Sequence, residues 1–366
     1  MSGTWGRNIR YSIFGESHGE GIGIVLDGLP SGIALDMEAI KKELSRRRPG
    51  QNPFSTPRQE KDQFEILSGY FHDRTTGTPL CAVIYNTNQH SKDYDALKTV
   101  MRPGHADYTG YMKYKGFQDY RGGGHFSGRL TAPMVFAGAV AKQILKAKGI
   151  IIGSHIAQIG NVYDQYFDDV AISFEEMKQL QNKDFPVIDE EKGAAMKELI
   201  LQTKSQQDSI GGMIEAAILD LPVGIGEPFF DSVESILSHL LFSIPAVKGV
   251  EFGTGFDISQ MKGSQANDEF YVKDGEIKTV TNHNGGILGG ITNGMPLIFR
   301  VAFKPTPSIG KIQKTIDIFK KENREIKVQG RHDPCIVLRA VPVVEAAAAI
   351  GILDLLLAHN GKMKDW

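Results

Sequence analysis

Asp119-Tyr-Arg-Gly-Gly-Gly-His-Phe-Ser-Gly-Arg129, running on through Leu130-Thr-Ala-Pro133 into an apolar stretch to Leu145, sets the plan of this chain. Three consecutive glycines free the backbone for φ > 0 and for close approach to a ligand. Pro133 suits a first helical turn, and a glycine loop feeding a helix offers backbone N–H groups to an anion. Late in the chain the same plan returns. Gly330-Arg-His-Asp-Pro334 leads through Arg339 and Pro342 into an alanine-rich helix. Two shorter echoes accompany it: Asp27-Gly-Leu-Pro-Ser-Gly32 with Asp220-Leu-Pro-Val-Gly224, each before a helix, and Thr76-Gly-Thr-Pro-Leu80 with Thr292-Asn-Gly-Met-Pro-Leu297. The spacings differ, so this is a structural echo and not a clean repeat. It predicts one domain of two related halves, about 7–149 and 205–359, packed through their small-residue helices. Residues of about 150–204, a strand-like run and two polar helices, are expected as an insertion. Hairpin-like strand runs with few helical crossovers make the fold class α+β.

The chain has 366 residues, 41% hydrophobic and 23% charged, which is ample for a buried core. A net charge of −2 argues against a dedicated nucleic-acid binder. Cys81 and Cys335 have no metal-ligand spacing and suit buried thiols in a reducing compartment. No metal site is predicted. The opening residues lack a targeting pattern, so a cytoplasmic protein is expected. Residues 341–358 are apolar but interrupted by Glu345 and Asp354, and read as a buried helix without a membrane partner.

Chemistry concentrates in a few clusters. Asp119, Arg121, His125, Ser127 and Arg129 flank the glycines, but Ser127 stands where the dinucleotide fingerprint needs its last glycine, so that motif fails. Gly15-Glu-Ser-His-Gly19 matches a hydrolase elbow in letters, yet a strand and not a helix follows it. Ser17 and His18 are better read as a hydrogen-bonded pair on a tight loop, with His18 able to move protons near neutrality. Arg46, Arg47 and Arg48 taken alone read as a solvated helix end. Arg129 and Arg339 are different, because a cation opposes the dipole at a helix start and requires an anion. Planar guanidinium forks suit carboxylate and phosphate. The inferred ligand is a small phosphate ester that also carries carboxylate.

Taken together, Gly15-Glu-Ser-His-Gly19, Arg46-Arg-Arg-Pro-Gly50, Arg102-Pro-Gly-His-Ala-Asp107, Asp119-Tyr-Arg-Gly-Gly-Gly124 and Gly330-Arg-His-Asp-Pro-Cys335 resemble, in order, the motifs of the chorismate synthase family. The resemblance implies a β-α-β sandwich with central helices between sheets, and a homotetramer. It implies a lyase of the shikimate pathway, on the way to aromatic amino acids, that removes phosphate from 5-enolpyruvylshikimate 3-phosphate by 1,4-anti elimination. It implies a reduced flavin mononucleotide (FMN) cofactor, which lends and recovers an electron. NADPH enters only if the chain reduces its own flavin. No reductase domain is evident, so an outside reductase is expected.

Carried over by motif, His18 protonates the departing phosphate with Ser17 orienting it, and His105 protonates the reduced flavin. Asp333 assists removal of the hydrogen at the flavin, and Ser127 supports the site. Cofactor contacts fall on His125, Phe126 and Ser127, on Ala246 and Gly289, on Lys304, Pro305, Thr306, Pro307 and Ser308, and on Arg331. Arg48 resembles a phosphate-binding family arginine; Arg129 and Arg339 complete the anion set. The chain departs from the family where His125-Phe-Ser-Gly-Arg129 replaces Arg-Ser-Ser-Ala-Arg, where Pro53 replaces an arginine whose anion contact is either missing or supplied elsewhere, with Arg58 a candidate, and where Pro245 replaces an asparagine. Two other classes stay open: a flavin or nucleotide binder without catalysis, which needs neither His18 nor His105, and an RNA-binding module, which needs aromatic platforms beside a basic face.

Overall fold

The computed structural model describes residues 3–50, 54–56, 60–87, 98–328 and 333–363. Strands β1 (Thr4–Trp5), β2 (Arg10–Gly15), β3 (Gly21–Asp27), β4 (Phe64–Ser68) and β5 (Leu80–Tyr85) form an antiparallel sheet in the order β1-β2-β3-β5-β4. Helix α1 (Met37–Arg47) joins β3 to β4; α2 (Asp107–Tyr114) and α3 (Thr131–Lys146) follow β5. A second antiparallel sheet holds β6 (Ile151–Ile159), β7 (Val162–Tyr163), β8 (Gly212–Leu219), β9 (Val247–Phe252) and β10 (Leu297–Phe303), in the order β9-β10-β8-β6-β7. Helices α4 (Phe174–Asn182) and α5 (Glu190–Ser205) precede β8, α6 (Val233–Ser243) joins β8 to β9, and α7 (Val337–Met363) comes last. The arrangement is α+β.

Both sheets follow one scheme: β2-β3-β5-β4 with α1 after β3, and β6-β8-β10-β9 with α6 after β8. Strand β6, placed by the sequence reading in the insertion, is instead an inner strand of the second sheet, paired with β8 from Ile151↔Leu219 to Ile159↔Gly212. Its partner is distant in sequence, which local patterning does not register. Only the excursion 160–211 stands apart.

Between the sheets lie the long helices. In α3 every residue from Thr131 to Ala141 is buried, as expected of a helix apolar all round. Small residues let it meet α7 closely: a Cβ at Gly138 would lie 2.2 Å from that of Ala346. Helix α7 is long and apolar enough to cross a bilayer by composition, yet it is buried in the core. The two acids that interrupt it are satisfied inside the molecule. Glu345 accepts from both Arg46 amines (2.6 and 2.8 Å) and from Ser154 (2.9 Å) and pairs with Lys142. Asp354 Oδ1 accepts three backbone N–H groups, from Arg7, Asn8 and Ile9. Unmade, such bonds would each cost about 1–3 kcal/mol in a buried site.

Candidate active site

The β2–β3 turn is docked on the glycine loop. Ser17 N–H donates to Gly124 O (3.1 Å), and His125 Nδ1 donates to Gly15 O (2.9 Å). The Ser17 hydroxyl donates to Arg121 O (3.4 Å) and lies 3.1 Å from His18 Nδ1. Asp119 braces the loop's base through a two-pronged pair with Arg121, both contacts at 2.8 Å. Gly122, Gly123 and Gly124 all have φ > 0. A Cβ at Gly122 would fall 2.1 Å from the His18 ring, so the close packing of loop on imidazole requires glycine there. Two 3₁₀ turns, Gly124–Phe126 and Gly128–Leu130, then lead into α3, with Ser127 Oγ accepting from Arg129 N–H (3.2 Å).

On the other face of this loop stands His105, just before α2. Its Nδ1 lies 2.6 Å from Asp107 Oδ1, and Arg102 grips the same carboxylate (Nε to Oδ2 2.7 Å, Nη2 to Oδ1 2.7 Å). Burial by itself would raise the Asp107 carboxyl, but the hydrogen bonds from Arg102 and His105 prevail and hold it well below the usual carboxylate range.

The arginines find their anions within the chain. Arg47, only 2% exposed, donates to Asp62 (2.7 Å) and Thr131 (3.1 Å), so the solvated reading of the triplet fails for it and for Arg46. Asp62 also pairs with Arg129, which further contacts Glu60 (2.8 Å) and Asn86 (3.1 Å). Burial opposes ionisation of Asp62, yet Arg47 and Arg129 keep its carboxyl below the ordinary value. Arg339 pairs with Asp333 and donates to Arg47 O (3.1 Å). The inference that cations at the starts of α3 and α7 need anions thus holds, but protein carboxylates meet part of that need. Sequence reading missed Glu60 and Asp62. The only signal for them was the excess of arginines over visible partners.

These elements enclose a cleft of about 740 Å³. The first half supplies a polar wall with His105, His125, Phe126, Ser127 and Arg129. Across it, the second half supplies Ile244, Pro245, Ala246 and Val247, the apolar face of early α7, and the segment with Lys304, Thr306, Pro307 and Ser308. Asp333 and Arg339 lie on the same wall, Asp333 fixed by Thr56 N–H (3.0 Å) and its carbonyl by the Thr306 hydroxyl (2.8 Å). Ala246 adopts φ +75°, a strained left-handed conformation that directs its carbonyl to Lys304 N–H (3.0 Å). The Lys304 amine reaches back to Gly104 O, and Arg102 reaches Ser308 Oγ (3.3 Å), so the two walls are tied together.

The remaining candidates lie elsewhere. His18 is buried behind Gly122, and Ser17 lines a smaller pocket of about 190 Å³ that shares Glu60 and Arg129 with the cleft. Arg48 caps α1 between two cleft residues, Arg47 and Pro49, without lining the wall itself. Pro305 belongs to the Lys304 segment but is turned off the wall, and Gly289 sits in a separate hairpin, Ile287–Leu288 with Ile291–Thr292. Arg331, Pro53 and Arg58 lie outside the described residues.

A family model described as chorismate synthase matches residues 9–357. The chain is 46% identical over 359 residues to the chorismate synthase of Methanobrevibacter smithii, covering 98% of this chain and 97% of that protein. Against the chorismate synthase of Thermococcus kodakarensis it is 46% identical over 355 residues, covering 97% and 98%. A solved structure titled "Crystal Structure of Chorismate Synthase" superposes with a TM-score of 0.76 at 31% identity, covering 98% of this chain and 94% of that one.

Proposed function

This chain belongs to the chorismate synthase family, lyases that form chorismate in the shikimate pathway, and we propose how its cleft performs that step. The substrate is 5-enolpyruvylshikimate 3-phosphate. A 1,4-anti elimination breaks its C–O bond to phosphate and a ring C–H bond. Phosphate and a proton leave, a second ring double bond forms, and no net oxidation occurs. The observation that carries this reading is the meeting of His105, Ser127 and Asp333 on one cleft walled by both halves.

The cleft fits reduced FMN. Its volume lies in the range of cofactor sites, and its walls pair an apolar face with a polar one, which suits a flat ring with polar edges. The backbone of 125–127, Ala246 and the Lys304–Ser308 segment would hold the cofactor. Bound there, reduced FMN supplies transient electron density that weakens a C–O bond whose neighbouring C–H is not acidic. The chain's own groups bind, orient and move protons. Arg129 and Arg339 hold the anionic substrate, His105 holds a proton at the cleft face, and His18 with Ser17 delivers one from behind Gly122. Asp333, fixed by Arg339 and Thr56, positions a carboxylate where the hydrogen departs.

We also read the chain as one domain of two related halves, supported by the common strand order. A homotetramer is what membership of the family suggests, and Phe229 and Phe230, 86% and 91% exposed, are apolar groups that contact with another copy could cover. The protein works in the cytoplasm with flavin reduced by an outside enzyme. The test is an anaerobic turnover assay with 5-enolpyruvylshikimate 3-phosphate. Chorismate and phosphate should appear in equal amounts with reduced FMN, and neither with oxidised FMN. Binding of flavin without turnover under any reducing condition would leave only the non-catalytic binder.

A further inference from the structure

Among the described residues, His105 is the one imidazole held at the cleft face with a carboxylate behind it. Asp107 is the first residue of α2 and does not reach the cleft; it lines a separate small pocket of about 140 Å³ on the far side of Gly123 and Phe126. Each of its oxygens is engaged. Oδ2 accepts from Arg102 N–H (3.0 Å) and Nε (2.7 Å), and Oδ1 accepts from Arg102 Nη2 (2.7 Å) while lying 2.6 Å from His105 Nδ1. A carboxylate gripped by a guanidinium and placed at a helix N-terminus is ionised, so it has no proton to donate.

At 2.6 Å, then, the proton between Asp107 and His105 belongs to Nδ1. The alternative leaves Nδ1 bare, to accept from Arg102 Nη2 at 3.1 Å. That would set two lone pairs 2.6 Å apart in a largely buried site, a repulsive contact. The longer bond from Arg102 does not compensate, since Arg102 is already satisfied by Asp107.

We propose that Asp107 is a positioning residue that locks His105 as the Nδ1–H tautomer and turns Nε2 toward the reacting side. This deepens the reading of His105 as a proton-transfer group and rests on it. A Cβ at Gly123 would lie 3.3 Å from Nε2, so glycine at this position keeps that nitrogen clear. Among the described residues, the charged and titratable groups nearest the ring include Asp107 and Arg102 on its own segment, Lys304 bonded to Gly104 O, His18 beyond Gly122, and Asp119, which shares the small pocket with Asp107 but is paired with Arg121. Of these, Asp107 is the carboxylate in contact with the ring. Fixing tautomer and ring orientation is the established value of an acid behind a catalytic imidazole.

The test is magic-angle-spinning NMR of the full chain labelled with ¹⁵N-histidine, with His105 identified by its absence in His105→Gln. In the wild type, Nδ1 of His105 should be protonated whatever the state of Nε2. In Asp107→Asn the amide presents a donor, and the ring should invert to Nε2–H. The single-turnover rate should then fall by about 10²-fold, within the span of a positioned acid or base, with KM close to wild type because Asp107 does not touch the cleft. A bare Nδ1 in the wild type overturns the proposal, and does so even if Asp107→Asn fails to fold. An inverted ring with an unchanged rate, or an unchanged ring, overturns it too. The spectra need neither cofactor nor substrate. Absence of any turnover in the wild type would therefore defeat the functional reading while leaving the tautomer legible.

Discussion

Between β2 and β3 the chain turns within residues 16–20, and that turn presses Ser17 and His18 against the glycine loop. At the matching place in the second sheet, between β6 and β8, it instead makes the excursion 160–211, pinned by another histidine. His155, fully buried on β6, has both ring nitrogens committed: Nδ1 to Asp164 (3.1 Å) and Nε2 to Glu215 (3.0 Å). Asp164 also accepts from the backbone of Ile188 and Asp189, and Glu215 from Phe167 and Arg300, so one imidazole ties the excursion to the sheet. The contrast with His105 is one of free valence. An imidazole held on one nitrogen can exchange a proton through the other, whereas one held on both is a strut.

That contrast is broken most directly at the cleft. His105→Ala and His18→Ala should each slow the chemical step by about 10²–10⁴-fold, roughly 3–5 kcal/mol of barrier, with little change in thermal stability for part-exposed His105 and some loss for buried His18. Single-turnover kinetics with pre-reduced FMN isolates that step. His72→Ala and His359→Ala should stay near wild type. Near-normal rates in both site variants would make these histidines struts like His155.

The strut itself should fail in the opposite way. His155→Gln leaves buried Asp164 without its imidazolium and Glu215 with Arg300 alone, and should cost about 3 kcal/mol of stability, while the folded protein turns over normally. The sign with pH follows from the folded environment. Burial disfavours the His155 imidazolium, but hydrogen bonds and charge from Asp164 and Glu215 outweigh it, so its pKa is raised. Its contribution is therefore complete below about pH 6.5, the unfolded value, and is lost as pH rises through the folded one. Melting curves on the alkaline side should show a decline in the wild type that His155→Gln lacks. Parallel curves for the two proteins would rule the strut out.

Much of this was legible before any coordinates. The glycine loop, Pro133 in the first turn of α3 and the buried α7 are local signals, and each is where the sequence puts it. What escaped was non-local or uncapped. Helix α2 has Ala106 at its N-cap, which offers no side-chain cap, and its Asp-Tyr-Thr-Gly-Tyr stretch is poor in helix formers, so it reads as connection. Strand β6 needs β8 to identify it. Arg46 and Arg47 look like a solvated helix end until Glu345 and Asp62 are brought beside them by the fold. The anion demand of the helix-start arginines was legible, but its partial satisfaction by Glu60, Asp62 and Asp333 was not.

That internal satisfaction leads to the smallest expected effect. Glu60 lines the cleft with its side chain 17% exposed and contacts Arg129 Nη1, which Asp62 holds from the buried side. An anionic substrate group approaching Arg129 from the cleft must share it with Glu60 or displace it. Partly exposed ion pairs are worth about 0.2–1 kcal/mol, so Glu60→Gln should tighten substrate binding by no more than about 5-fold. Asp62 is retained, so Arg129 stays fixed and kcat should hold. The gain should shrink as salt screens the competing charge. Arg129→Gln makes the opposite change and should weaken binding in either background. The deciding measurement is KM for 5-enolpyruvylshikimate 3-phosphate at low and high ionic strength. A KM that rises in Glu60→Gln would mean that Glu60 orients Arg129 for the substrate and does not compete with it.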